Sequence, residues 1–475
     1  MLSNANMNQL VVNGITINKK RDEKYEDKFN KGKPFLALFL FALPMILSVT
    51  LQQFYNICDS MIAGKFVSSK ALAAVSASYP ITMIYLAIGA GFGVGVNIVV
   101  SRFIGENNLL HAKQTIYTSI LTIVLTGLVL TIVGYFLVGK LIQLINVSDD
   151  YYNDAVVYLK YYTLGIIFLF LYNVVTSIFQ AIGNSRIPLY FLIFSTLLNI
   201  GLDIYFVTIF NMGVEGLALA TFIAQMIASI VSFLVLIIYV KKCIGKEKKI
   251  LNFSILKKVL PIALPSIIQA STISIGQLLI QTLINKQGSD VVAGYGAAYK
   301  ISYVVINIFV TISNALSTYV SQNAGAKEYK RINQGFISAT IMCIILTIVT
   351  TTLFLTMPNV FLSIFEKENE PLTVTETGCM FLTTIAPFIF LMAAKIPCDG
   401  VLKGCKDMRS FIIGTMADLV IRVVFSYILV EPLGVKGIFI AWPIGWAIGA
   451  ILSITFYFIG RWKNLIGYER QTCTD

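Results

Sequence analysis

Charge is scarce in this sequence. Only 13% of its 475 residues are Asp, Glu, Lys or Arg, 57% are hydrophobic, and the mean hydropathy is +0.79. A soluble domain carries about 25% charged residues, so a water-facing surface for 52.5 kDa cannot be drawn from this chain. The same figures exclude disorder, fibrous repeats and a secreted disulfide scaffold. The lone histidine, His111, leaves no histidine-based metal centre and no Ser-His triad. Seven cysteines (Cys58, Cys243, Cys343, Cys379, Cys398, Cys405 and Cys473) form no C-x-x-C pair and sit mostly in apolar segments. They read as small core residues rather than as a metal or redox site. No Walker motif and no H-E-x-x-H motif occurs, so ATP does not drive the protein directly and a zinc peptidase is excluded. What remains is an integral membrane protein.

Long apolar runs are abundant. A crossing needs about 20 apolar residues, and twelve stretches qualify: roughly 36–63, 72–101, 115–138, 155–181, 187–210, 214–240, 255–285, 292–320, 335–357, 377–402, 410–430 and 435–460. Residues 1–33 are polar and form an expected cytoplasmic tail, since a signal peptide would need an apolar core. With that tail inside, the inner segments hold 26 of the 36 Lys and Arg residues. The outer loops hold six (Lys65, Lys70, Lys140, Lys286, Lys367, Lys436). That asymmetry predicts both termini in the cytoplasm, the second tail being residues 461–475. The net charge of +12 is thereby assigned to topology and needs no nucleic-acid partner.

The chain repeats itself. Ala42-Leu43-Pro44 recurs as Ala263-Leu264-Pro265. Ser101, Gly105 and Gln114 recur as Ser321, Gly325 and Gln334, and Gly213-Val214-Glu215-Gly216 as Gly434-Val435-Lys436-Gly437, at offsets of 220 or 221. Each half holds six spans, so both run in the same sense through the bilayer. The expected fold is all-α, with twelve transmembrane helices in two pseudo-symmetric six-helix lobes around a central cavity. The lobes are 34–240 and 255–460, joined by a cytoplasmic linker at 241–254. Gly89, Gly91, Gly93 and Gly95 lie inside an apolar run, with no preceding strand. Gly91-x-x-x-Gly95 therefore reads as a close-packing helix face.

Ionisable residues inside a bilayer cost several kcal/mol and are paired or functional. In the first half two carboxylates, Asp59 and Asp203, lie within spans. The one basic residue there, Lys160, is close enough to a helix end to snorkel outward. Each acid sits roughly 10 Å below the outer end of its helix, so the two can share a site. Such a pair in low dielectric can take up a proton or coordinate a cation. Asn199 stands one turn from Asp203 and can offer a carbonyl oxygen, and Thr221 can add a hydroxyl. Gln52 and Tyr55 share the helix face of Asp59. A helix–helix hydrogen-bond cluster without a transport role is the alternative. Pro44 should bend the first helix below Asp59.

The second half differs. Lys300, Lys395, Asp399, Asp418 and Arg422 lie in or near its spans, and Lys395/Asp399 and Asp418/Arg422 are each spaced i, i+4. This reads as a compensated charge network, structural or gating, with Asp418 the expected cross-lobe partner of Lys300.

The run Leu43-Pro44 with Gln52-Gln53-Phe54-Tyr55-Asn56-Ile57-Cys58-Asp59-Ser60-Met61-Ile62-Ala63-Gly64 resembles the first helix of the multidrug and toxic compound extrusion (MATE) transporters. Gly89 to Gly95, Asn199-x-x-x-Asp203 and Gly216-Leu217-Ala218-Leu219-Ala220-Thr221 continue the likeness, which extends from about residue 34 to 462. The resemblance implies an antiporter of the bacterial plasma membrane rather than an enzyme. Organic, lipophilic cationic compounds would leave as H⁺ or Na⁺ enters, with no other cofactor. It matches Asp59, Asn199, Asp203 and Thr221 to the family's cation site, and Tyr158 and Asn173 to cavity positions. It also ties the bend at Pro44 to the protonation state of the lobe. Some relatives carry an acidic site on helices 7 and 10. This chain has Ile273 or its neighbours on the seventh span and no lone carboxylate deep in the tenth, which favours coupling through the first half. Small molecules and membrane lipid are the expected partners. Twelve spans suffice for a monomer with no required protein partner. A lipid-linked precursor flippase of the same superfamily is the alternative.

Overall fold

The computed structural model describes residues 32–467, apart from residues 63, 65–66, 146, 244–250 and 364–370. Nearly all of the expected first tail, the middle of the 241–254 linker, residues 468–475, Lys65 and Lys367 lie outside the described residues. The described residues are helical, with no strands. Ten helices are long and apolar enough to cross a membrane, and two bent pairs bring the crossings to twelve.

In chain order these are α1 (Pro34–Ile62), α2 (Ser69–Gly105), α3 (Leu109–Leu144), α4 (Asp149–Leu164 and Ile166–Ala181), α5 (Arg186–Ile204) and α6 (Val214–Cys243). The second set is α7 (Leu256–Asn285), α8 (Ser289–Gly325), α9 (Tyr329–Thr356), α10 (Leu372–Phe388 and Phe390–Gly404), α11 (Met408–Leu433) and α12 (Val435–Ile459). Their starts follow ordinary capping chemistry. Ser68 accepts from the Ala71 amide at 3.0 Å and Asn108 from that of His111 at 3.2 Å. Asp407 accepts from both the amide and the hydroxyl of Ser410.

The duplication is visible in the backbone. α2 and α8 are both 37 residues long, 220 positions apart. Left-handed residues recur as well: Asn107 (φ 53°) matches Lys327 (φ 60°), and Gly183 (φ 88°) matches Lys406 (φ 67°).

Two spans depart from the continuous helices expected. α4 bends by 48° at Gly165 and α10 by 60° beside Ile389. Gly165 has no side chain to hold the turn, and Pro387 removes a backbone donor, so each break has a local cause. Pro44, by contrast, lies within one continuous helix, where the Ser48 hydroxyl donates to its carbonyl at 2.8 Å.

The two halves meet where α2 packs on α7 and α8, and α1 on α8. The glycines of α2 face two ways. A Cβ on Gly91 would lie 2.6 Å from the Ile267 nitrogen of α7, and one on Gly95 2.8 Å from the Ala263 Cβ. A Cβ on Gly89 or Gly93 would instead meet Phe170, Asn173 or Ser177 of α4. The Gly91/Gly95 face is therefore the close-packing surface expected, and it joins the halves.

Most specific bonds between the halves lie toward the side holding the start of α1 and the end of α12, here the tail side. Thr318 donates to Asn97 Oδ1 at 2.9 Å, Ser321 to the Ile98 carbonyl at 2.7 Å and Gln322 to the Ala181 carbonyl at 2.7 Å. Beyond them Gly105 abuts the Gln322 carbonyl and Gly325 that of Arg102, contacts no larger residue could make. On α1, Phe41, Ala42 and Met45 are buried toward this side, and Gln52, Phe54 and Asn56 farther along are exposed. The specific bonds between the lobes are gathered on the tail side.

Candidate functional site: an acid pair and a paired charge network

Four helices build a site in the first half. α1 brings Tyr55 and Asp59, α4 Tyr158, α5 Asn199 and Asp203, and α6 Thr221. Asp203 is fully buried and Asn199 nearly so. The Asn199 amide nitrogen donates to Asp203 Oδ2 at 2.9 Å, and its oxygen accepts from the Thr221 backbone nitrogen at 3.2 Å. Thr221 Oγ1 lies 3.4 Å from the same end of the amide. The second Asp203 oxygen, Oδ1, has no hydrogen-bond partner among the described residues. Asp59 is close enough for its charge to act on Asp203, and Tyr55 and Tyr158 lie within reach of both carboxylates. Among the described residues no Lys or Arg forms an ion pair with either acid.

Two expectations change here. The Asn199 carbonyl is engaged by a backbone N–H rather than turned toward an open cation position, because its amide nitrogen is the group needed at Asp203. Tyr158, expected as a cavity residue, is buried beside the acid pair, packed on Ala71, Val214 and Ala218. The bend of α4 at Gly165 separates this outer piece from the inner piece that carries Asn173. Asn173 is thus apart from the acids. It donates to its own Leu169 carbonyl at 2.8 Å, against the glycine face of α2. Gln52 is exposed on α1. Just past Asp203, α5 ends in a π-helical turn, Tyr205–Ile209, an irregularity frequent at functional sites and unmarked by glycine or proline in the sequence.

The second half holds a different object. Asp418 on α11 spends both oxygens on cations: Arg422 at 2.6 Å and Lys395 of α10 at 2.9 Å. Lys395 reaches Asp399 at 3.8 Å, so its nearer partner is Asp418 rather than the residue one turn away on its own helix. The bond to Asp418 expected of Lys300 is made by Lys395, because α10 and α11 bring these two side chains together; Lys300 is exposed on α8. Asp399 accepts from Ser453 of α12 at 2.7 Å, and Lys403 donates to Asn314 of α8 at 2.7 Å. The Arg422 guanidinium lies 4.4 Å from the centre of the Trp442 ring. Ser453, Asn314 and Trp442 escaped the sequence reading. The available signal was Gly445-x-x-x-Gly449 on α12, which allows that helix to approach Asp418: a Cβ on either glycine would meet it within 3 Å. Among the described residues no three His, Cys, Asp or Glu side chains gather as a metal site.

Comparisons with known proteins agree with this architecture. The MatE family model matches residues 44–205 and again 265–428, one match per half. Probable multidrug resistance protein YpnP of Bacillus subtilis is 26% identical over 448 residues, covering 92% of this chain and 98% of that protein. An FAD transporter of Shewanella oneidensis is 22% identical over 443 residues, covering 90% and 94%. Among solved structures, a MOP superfamily transporter from Pyrococcus furiosus superposes with a TM-score of 0.85 at 22% identity, covering 92% of this chain and 98% of that one. An outward-facing multidrug resistance MATE family transporter gives 0.84 with the same identity and coverage. Two half-chain matches, twelve crossings and a shared fold lead to one assignment: this chain is a multi-pass membrane protein of the MatE family, a transporter and not an enzyme.

Proposed function

We propose that the protein is a cation-coupled antiporter that exports organic compounds, with Asp59 and Asp203 as the coupling site. The observation that carries this is Asp203 Oδ1, a buried carboxylate oxygen beside a second acid, with no hydrogen-bond partner and no ion pair to either acid among the described residues. Inside a bilayer such a pair holds a proton or a small cation, since two bare charges there cost several kcal/mol. Asn199 keeps the Asp203 side chain in place and is itself held by the Thr221 backbone nitrogen.

By the Lys and Arg count the tail side is the cytoplasm of a bacterial cell, so the bonded seam between the lobes faces inward. In the proposed cycle H⁺ or Na⁺ reaches the acids from outside and neutralises them. Contacts of α1 with α5 and α6 change, substrate leaves outward, and the loaded carrier turns inward. The curated relatives named as multidrug resistance and multidrug export proteins support drugs as the cargo class. Lipophilic cations suit carboxylates and aromatic rings. The chain works as a monomer in this reading, with lipid as its only other partner. A flippase for lipid-linked precursors needs cations available for pyrophosphate, and Lys395 and Arg422 are already committed to Asp418.

Ethidium efflux from reconstituted vesicles under separate pH and Na⁺ gradients tests this. Wild type should respond to one gradient, which identifies the ion. Asp59→Asn and Asp203→Asn should lose at least about tenfold of that response, or about 1.4 kcal/mol in coupling, while still inserting in the membrane. Normal efflux by both variants would place coupling elsewhere.

A further inference from the structure

The tail-side seam carries a group of cations that the acid site does not use. Arg102 comes from the end of α2, Lys258 from the start of α7 and Lys406 from the turn between α10 and α11, so both lobes contribute. Arg102, Glu106 and Lys258 all lie within electrostatic reach of Lys406. Among the described residues one carboxylate, Glu106, acts on Lys406, and it is bound to Arg102 at 3.0 Å. Lys258 lies 4.9 Å from the centre of the Phe103 ring. Among the described residues neither Lys258 nor Lys406 makes an ion pair. Asp407, the neighbour of Lys406, is buried and turned to Ser410 and Arg461. Lys258 and Glu106 are exposed, Arg102 and Lys406 partly so, and the cluster opens to the surface. It adjoins the contacts of Gly105 with Gln322 and Gly325 with Arg102 that close the seam.

Three positive charges against one negative charge, gathered across a closed contact, oppose that closure unless an anion joins them. We propose that Arg102, Lys258 and Lys406 bind a phosphate group at the lobe seam and that its binding holds the tail side closed. Phosphate is the chemistry that fits, because Arg supplies a planar fork and the two lysines supply point charges. Burial and the adjoining cations push the Lys406 ammonium down to about 8, the direction expected of a site short of negative charge. The phosphate belongs either to an anionic lipid or to a soluble ester, and the two are separable.

Hydrogen exchange at residues 98–106 and 318–327 reads the closure. It should be followed in nanodiscs of phosphatidylcholine, in nanodiscs with about 30% phosphatidylglycerol, and in phosphatidylcholine with inorganic phosphate added. Wild type should exchange at least about fivefold more slowly with the phosphorus anion present. Lys406→Asn suits the left-handed backbone at this position and removes only the charge. It and Lys258→Gln should abolish the slowing, while Lys286→Gln on the other side should keep it. A response to phosphatidylglycerol alone assigns the site to lipid, and a response to inorganic phosphate assigns it to a soluble ester. Exchange that is unchanged in wild type, or slowed equally in Lys406→Asn and Lys258→Gln, overturns the proposal.

Discussion

The two halves of this protein share a backbone and differ in how they handle buried charge. In the first, Asp203 has one oxygen held by Asn199, and among the described residues its other oxygen has no partner and Asp59 no ion pair. In the second, Asp418 sits between Lys395 and Arg422, and Asp399 is bonded to Ser453. A fully compensated network stays as it is, because removing any member strands another in low dielectric. An acid pair lacking a counter-charge changes state whenever a cation arrives. A single architecture thus carries one half suited to switching and one suited to staying rigid.

Removing one acid from each half gives the sharpest test of that contrast. Asp418→Asn should destabilise the protein by about 3–5 kcal/mol, since Lys395 and Arg422 lose their shared partner. Asp203→Asn should leave thermal stability unchanged or slightly raised, because it deletes a charge that nothing balances. Unfolding temperatures in detergent compare the two, and equal losses would erase the distinction. The contact between the halves comes next. Gly91→Val places side-chain atoms against the Ile267 backbone and should cost about 1–3 kcal/mol as overpacking, read by the same scan with Gly201→Val, a position with open space, as reference. The smallest effect is a pH dependence. The Lys406 ammonium titrates near 8 in the folded chain against 10.5 ordinarily, so the unfolded chain binds more protons between those values. Stability without anionic lipid should therefore rise as pH goes from 8 toward 10.5, and Lys406→Asn should flatten that rise.

Much of this was legible in the sequence because membrane insertion is a strong constraint. Apolar length marks crossings, and a constant offset of 220 or 221 marks the duplication. Asp59 and Asp203 stand out because intramembrane acids are rare, and the i, i+4 spacing puts Asn199 on the face of Asp203; Thr221, on another helix, is joined to them by the family resemblance. Less local features were hidden. The bends of α4 and α10 depend on how a glycine or a proline is used by neighbouring helices, and Pro44 shows that the same residue type can sit in an unbroken helix. Helical spacing reveals the Lys395–Asp399 pair on one helix, whereas the nearer carboxylate, Asp418, comes from α11 and lies beyond its reach. Tyr158 was read as a cavity residue since nothing in its own segment shows that α4 swings its outer piece toward the acids.

The meeting of Gly105 with Gln322 and of Gly325 with Arg102 has a kinetic consequence. Main chain rests on main chain there, and no side chain can change rotamer to yield by degrees. Parting the lobes forfeits the whole contact in one step, and reforming it requires both strips to return to register together. The seam is therefore built as a two-position catch rather than a spring.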